Sequence, residues 1–251
     1  SADGQRRTVR IVGEDVAQTD APVSDVAPLA EGEVVVVSGG ARGVTAACLI
    51  ALAERTPLQF ALLGRSQLVE EPAALTTCED RSSLTRALLE RATGEGETLA
   101  PKTLAAQADA IIAAREIRQT IHSLRERGSQ AAYFSVDIAD AAAVTSIIDE
   151  IRAQMGPISA IVHGAGILAD KLMHEKTSEQ FERVLNTKLR GWGNLLAATA
   201  DDPVSHLCAF SSIAARLGNR GQADYAMANE ALNKIARREA LRRPSCRVVS
   251  V

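Results

Sequence analysis

Aromatic residues are scarce in this 251-residue chain, at 3%, with one Trp, two Tyr and four Phe. That shortage argues against a surface that stacks bases or sugars on rings. Cysteine is sparse too: Cys48, Cys78, Cys208 and Cys246 stand far apart, so no C-x-x-C metal or redox pair exists. Three of them lie in apolar surroundings and read as small buried hydrophobes, while Cys78 sits as a bystander in a polar stretch. A reduced, cytoplasmic thiol pool suits this usage. His122, His163, His174 and His206 show no ligand spacing, so no metal is expected. No apolar run approaches the roughly 18 residues of a membrane-spanning helix, and the N-terminus lacks the apolar stretch of a signal peptide. The charge balance, 28 basic against 31 acidic residues for a net of -3, gives no overall pull towards nucleic acid or a membrane surface.

What is present is an ordinary globular composition, 46% hydrophobic and 24% charged, long enough for one larger domain. Residues 1–32 read as an N-terminal strand at 8–12 and an acidic linker with Pro22 and Pro28. From 33 onward, apolar strands alternate with helical patterns. Strands are expected at 34–37, 59–63, 131–136, 158–162, 205–210 and 246–251. Helices are expected at 44–55, 141–155, 178–200 and 224–242, with an insert at 67–130 holding two more, at 83–92 and 101–127. The insert's Leu, Ile and Ala spacing suits core packing, although docking of a neighbouring domain stays open. The predicted fold class is α/β, a doubly wound, Rossmann-like parallel sheet with a helical insert after the second strand. Ligands of such sheets bind beyond the strand C-termini.

The polar clusters fall at those ends. Gly39-Gly40-Ala41-Arg42-Gly43-Val44 links the first strand to the first helix. Glycines let the backbone approach a pyrophosphate, and a helix N-terminus favours its charge, although a tight turn also uses glycine for shape alone. The second strand ends in Gly64-Arg65-Ser66, without the carboxylate that usually accepts a ribose hydroxyl in NAD sites. Arg65 and Ser66, joined by Arg42, suit a 2′-phosphate, which favours NADP(H); solvated surface arginines are the plain alternative. Asp137 ends the third strand and is placed to accept from an adenine amine. Gly164-Ala165-Gly166 ends the fourth and has almost no side chain to obstruct a ribose. Both are equally readable as loop chemistry.

Tyr225 opens the helix after the fifth strand, Ser212 lies 13 residues earlier, and Lys188 lies on the preceding long helix. With these residues the sequence resembles the short-chain dehydrogenase/reductase superfamily. It resembles more closely the ketoreductase domains of type I polyketide and fatty-acid synthases, across 33–251. General members carry a lysine four residues after the tyrosine; here that position is Asn229 and the lysine is at 188, an exchange typical of the synthase ketoreductases. The loop 40–45 and the long insert resemble the polyunsaturated fatty acid synthase type, with Thr45 in place of the loop's last glycine.

The resemblance implies NADPH-dependent reduction of a 3-ketoacyl thioester carried by an acyl carrier protein, beside neighbouring synthase domains. Tyr225 would protonate the carbonyl oxygen, its pKa of about 10 lowered by the adjacent Lys188 ammonium. Ser212 would hydrogen-bond the developing oxyanion and Asn229 would hold the lysine or a water. Segment 168–170 contains Asp170, which by resemblance marks one product stereochemistry. Leu217 stands where the opposite class has a tryptophan, eight residues before Tyr225. Together they imply a D (3R) product. Family members continue past the last strand into a substrate loop and lid helix, so a truncated C-terminus is expected. Two other readings stay open: a free-standing NADP-dependent reductase of small ketones or sugars, and a non-catalytic Rossmann scaffold or NADPH-binding module.

Overall fold

The computed structural model describes residues 26–251. The strand expected at 8–12 and most of the linker lie outside the described residues. Six parallel strands form one sheet: β1 (Val34–Ser38), β2 (Gln59–Gly64), β3 (Gln130–Ser135), β4 (Ile158–His163), β5 (His206–Ala209) and β6 (Arg247–Ser250). Their order is β3-β2-β1-β4-β5-β6, so the chain reverses direction across the sheet between β1 and β4. This is the doubly wound arrangement the alternation implies, and it places a crevice beyond β1 and β4.

The continuous apolar run in β1 exists because both faces of the sheet are covered. Val34 and Val36 point into one core with Ile148, Ile151, Trp192, Leu195 and Leu232. Val35 and Val37 point into the other with Leu49, Phe60, Leu62, Ile117 and Leu124. The first core is covered by α4 (Ala141–Met155), α6 (Gly191–Ala198) and α8 (Ala223–Arg242), the second by α1 (Gly43–Ala53) and α3 (Pro101–Arg125). Helix starts follow local chemistry. The Asp140 carboxylate accepts from the amides of Ala142 and Ala143 to open α4. Thr177 and Gln180 form a reciprocal capping box on α5 (Ser178–Leu185).

The insert after β2 contains α2 (Arg81–Gly94) and α3. Leu75, Leu84, Leu88, Leu104, Ala108 and Ile111 make a small core of its own. The C-terminal half of α3 joins the main core through Ile117 and Leu124. The insert is thus anchored by one shared helix. Arg115 of α3 locks it, pairing with Glu71 and donating to the Leu75 carbonyl at 2.9 Å. That guanidinium holds the Glu71 carboxyl below its usual range.

Three details differ from the expectations. The helix expected at 178–200 is divided into α5, a π-helical turn at Asn186–Arg190 and α6. A short α7 (Ala214–Leu217) follows β5, too brief to leave a period in the sequence. Cys48 is exposed, not buried, because α1 is apolar all round and only its Thr45, Ala46, Leu49 and Ala53 face is covered.

Thr45, in place of the loop's last glycine, has room beside a second glycine. It is buried on α1 against Gly164, the first residue after β4. A Cβ at position 164 would lie 2.4 Å from Thr45 Oγ1 and 2.9 Å from its Cγ2. The absence of a side chain at 164 is therefore what makes room for Thr45. Gly164→Ala should destabilise the domain by about 1–3 kcal/mol through overpacking. Adding Thr45→Ala should recover most of the loss, as read by chemical denaturation.

Candidate active site

A cleft of about 480 Å³ opens beyond the C-terminal ends of β1, β2, β3 and β4. Among the expected cofactor residues, Gly39, Arg42, Gly43, Arg65, Ser66, Asp137, Gly164, Ala165 and Gly166 line it. Gly39 has φ of +68°, and a Cβ there would meet the Ala165 backbone at 2.7 Å. Only glycine lets these two loops close together. Gly40 lies underneath, facing Val37 and Leu49, so its role is to seat α1 on β1. Val44 is exposed and its side chain is not part of the lining.

The cleft fits a dinucleotide on physical grounds. No side chain caps the N-terminus of α1 and no acid stands in its first turn, so its free amides suit a phosphate. The corner formed by Arg65 differs from the expectation of two free arginines. Arg42 is paired with Glu116 of α3 at 3.2 Å, while Arg65 has no ion pair among the described residues. Asp137 Oδ1 accepts from the Ala139 amide at 2.9 Å, which fixes the carboxylate at the rim. Tyr133 of β3 donates its hydroxyl to the Ser66 carbonyl at 2.8 Å and so holds that loop. Burial pushes its phenol up.

The reactive groups expected from the sequence lie around the ends of β4 and β5. Lys188 sits in the π turn and is 3% exposed. Its ammonium donates to the Phe210 carbonyl at 2.5 Å, and its Cε lies 3.0 Å from where a Gly166 Cβ would be. Burial lowers its pKa from 10.5 to about 8. Ser211, beside Phe210, donates to the Asn229 carbonyl at 3.3 Å. Asn229 Nδ2 in turn donates to the Tyr225 carbonyl at 2.8 Å. α8 also packs directly on the π turn. The Lys188 ammonium, Phe210 and Ser211 at the strand end, and the backbone of Asn229 and Tyr225 are thus linked through one run of hydrogen bonds. Ser212 Oγ accepts from the Ala214 amide at 3.1 Å, which leaves its own O–H free to donate. Asn229 Oδ1 is buried without a partner among the described residues, an acceptor suited to a water or an ammonium.

Sequence reasoning missed the pair that anchors Tyr225. Lys176 and Asp224 form an ion pair at 2.7 Å with side chains 2% and 1% exposed. Lys176 also donates to the Ala169 carbonyl at 2.6 Å, and Asp224 Oδ1 accepts from the Tyr225 amide at 2.9 Å. Asp170 accepts from Gln222 at 2.8 Å, and the Lys171 amide donates to the Gly221 carbonyl at 3.0 Å. The segment after β4 is therefore stitched to the start of α8. No spacing rule joins residues 48 positions apart. Leu217 is exposed at the end of α7.

A family model of the KR domain matches residues 33–251. This chain belongs to the KR domain family. One of its relatives, a polyunsaturated fatty acid synthase polypeptide of Thraustochytrium sp., is 36% identical over 242 residues, 93% of this chain but 8% of that protein. Polyketide synthase PksL of Bacillus subtilis is 36% identical over 116 residues, 46% of this chain and 3% of that protein. Among solved structures, a ketoreductase domain from the bacillaene assembly line superposes with a TM-score of 0.64 at 26% identity, covering 87% of this chain and 43% of that one. An N-terminal ketoreductase from the macrolactin assembly line shares the fold, with a TM-score of 0.67 at 24% identity over 91% of this chain and 38% of that one. NAD+-bound xylitol dehydrogenase does so too, at 0.63 and 20%, over 88% of this chain and 69% of that one. The KR domain spans a small part of the synthases it matches. Among the described residues, no helix is long and apolar enough to cross a membrane.

The buried ammonium carries a stability cost. Below about 8 the folded domain holds the full charge in a dry site. Between about 8 and 10.5 the folded Lys188 loses its proton before the unfolded one does, so its penalty fades as pH rises. Lys188→Met should therefore stabilise the KR domain by about 1–3 kcal/mol near neutral pH, net of the lost bond to Phe210. The gain should vanish above the unfolded pKa, as read by denaturation across pH.

Proposed function

We propose that this KR domain uses NADPH to reduce the ketone of a 3-ketoacyl thioester, presented by an acyl carrier protein, to the D (3R) 3-hydroxyacyl product. The observation that carries the reading is the Lys188 ammonium, desolvated and aimed at the end of β5, whose Ser211 is hydrogen-bonded to the stretch of α8 that holds Asn229 and Tyr225.

The uncapped amides of α1 and the backbone of Gly39 and Gly43 would hold the pyrophosphate, with Gly40 and Val44 shaping that turn. Arg65 and Ser66 would take the 2′-phosphate, Asp137 the adenine, and Gly164, Ala165 and Gly166 the nicotinamide ribose. When bound, NADPH supplies the hydride. Tyr225 gives its phenolic proton to the ketone oxygen as negative charge develops there. Lys188 stabilises the phenolate left behind, and near neutral pH it remains mostly protonated. Ser212 donates its free hydroxyl to the same oxygen. The unpartnered Asn229 Oδ1 accepts from the lysine or a water and keeps the cluster aligned.

Several exposed apolar residues, Leu168, Met173, Ile213, Leu217 and Met227, stand on the segments around Tyr225. They suit an acyl chain and its pantetheine arm better than a small sugar. Asp170, pinned by Gln222 near the start of α8, is the residue that supports the D assignment.

Tyr225→Phe should lower turnover by roughly 100-fold or more while NADPH affinity is kept. NADPH oxidation with a 3-ketoacyl thioester or trans-1-decalone measures the first and fluorescence titration the second. Undiminished turnover by the variant would remove the tyrosine from the chemistry. Wild type that binds NADPH but never reduces a ketone would favour a scaffold. Arg65→Ala should weaken NADPH roughly 10- to 100-fold and leave NADH nearly unchanged. Equal losses for both dinucleotides would overturn the 2′-phosphate assignment.

A further inference from the structure

His163 takes no part in the proton and hydride steps, yet it is fully buried with both ring nitrogens engaged. Its Nε2 lies 2.9 Å from the Lys188 carbonyl oxygen and its Nδ1 lies 2.7 Å from Ser38 Oγ. The carbonyl can only accept, so Nε2 carries the hydrogen. Burial, with the Lys188 charge adding to it, lowers the imidazole pKa from 6.5 to about 3. The ring is therefore neutral at working pH, and Nδ1 accepts from the Ser38 hydroxyl.

The contacts on Lys188's segment are specific. His163 Nε2 holds the backbone of the residue whose side chain carries the ammonium. The same ring packs on Trp192 at 5.6 Å between centroids, four residues further along that segment. It thus grips two points on one face, on either side of the junction between the π turn and α6. Ser38, on its other side, ends β1 immediately before Gly39. One uncharged ring therefore joins the strand that feeds the phosphate loop to the turn that aims the lysine.

We propose that His163 is a positioning residue: its hydrogen bonds to the Lys188 carbonyl and Ser38 hold the π turn that keeps the Lys188 ammonium aimed and dry. The inference rests on the reading of Lys188 as the residue that tunes Tyr225. A satisfied core histidine would stabilise the fold without affecting how Lys188 titrates. A positioning histidine affects both.

The titratable groups about Lys188 are few enough for a clean reading. His163 faces it from β4 and Tyr225 lies on α8, while Glu182, Arg183 and Arg190 belong to its own segment. Asp224 on α8 and Asp170 after β4 are occupied by Lys176 and Gln222. The chain has five lysines, so isotope-labelled lysine side chains give a resolvable NMR spectrum, with the Lys188 signal assigned by its loss in Lys188→Met.

The test compares His163→Leu, His163→Gln, Ser38→Ala and the Ser38→Ala/His163→Leu double variant. It reads the Lys188 titration by NMR and the pH profile of kcat. In His163→Leu the turn loosens and water reaches the ammonium, so its midpoint should rise by roughly one unit or more. The corresponding limb of kcat should move with it, and kcat should fall by roughly 10-fold or more with little change in KM. His163→Gln, which keeps an N–H for the carbonyl, should recover most of both. Ser38→Ala should shift the titration in the same direction but less, and in the double variant it should add nothing to His163→Leu. An unchanged Lys188 midpoint in His163→Leu overturns the proposal. If that variant does not fold, an unchanged midpoint in Ser38→Ala does so instead. Full turnover by Lys188→Met would overturn the underlying role of Lys188, a separate result that leaves the NMR titration of the histidine variants readable.

Discussion

A single ammonium in a dry place governs this site. Lys188 is almost entirely buried, and the one hydrogen-bond partner of its ammonium among the described residues is a neutral carbonyl, that of Phe210. Among the described residues no carboxylate pairs with it. Such a charge stays only where the surrounding backbone is over-determined. Three features supply that. The π turn moves the lysine out of helical register, the end of β5 presents Phe210, and Gly166 leaves room beside the side chain. In the proposed reduction, desolvation is also what would make the group useful, because it lowers the lysine pKa to about 8, towards working pH.

The parallel sheet provides the frame for this cluster. Both of its faces are sealed by helices, so only the C-terminal ends of the strands are open for loops to approach a ligand. The close contact of Gly39 with Ala165, and of Thr45 with Gly164, brings the loops after β1 and β4 together at the reversal of strand order. On the far side, Lys176 and Asp224 fasten the segment after β4 to the first turn of α8. The residues assigned to proton transfer thus lie between two stitched seams. The insert belongs to the same frame, since α3 contributes Glu116 and Ile117 to the cleft wall and hydrogen-bonds the loop through Thr120 and the Ala41 carbonyl.

Most strands and helices were legible because burial on both faces leaves unbroken apolar runs, and one-sided packing leaves helical periods. The strand ends with their glycines were legible for the same reason, and with them the line of the cleft. The expected long helix at 178–200 was not legible as three pieces, since the π turn and the bond its Lys188 carbonyl accepts from distant His163 leave no mark in local spacing. Arg42 could be read as a free cation only until Glu116, 74 residues away, was seen to pair with it.

The amino-acid sequence by itself determined the α/β architecture and pointed to the family, with Tyr225, Ser212, Lys188 and Asn229 as its candidate residues, because those readings depend on periodicity and on residue type at set spacings. Tertiary structure alone decided which arginine stays unpaired, which face of α1 exposes Cys48, and how dry Lys188 becomes. Each of these depends on atoms brought together from remote parts of the chain. Desolvation and ion pairing belong to a place in space, and no stretch of sequence carries them.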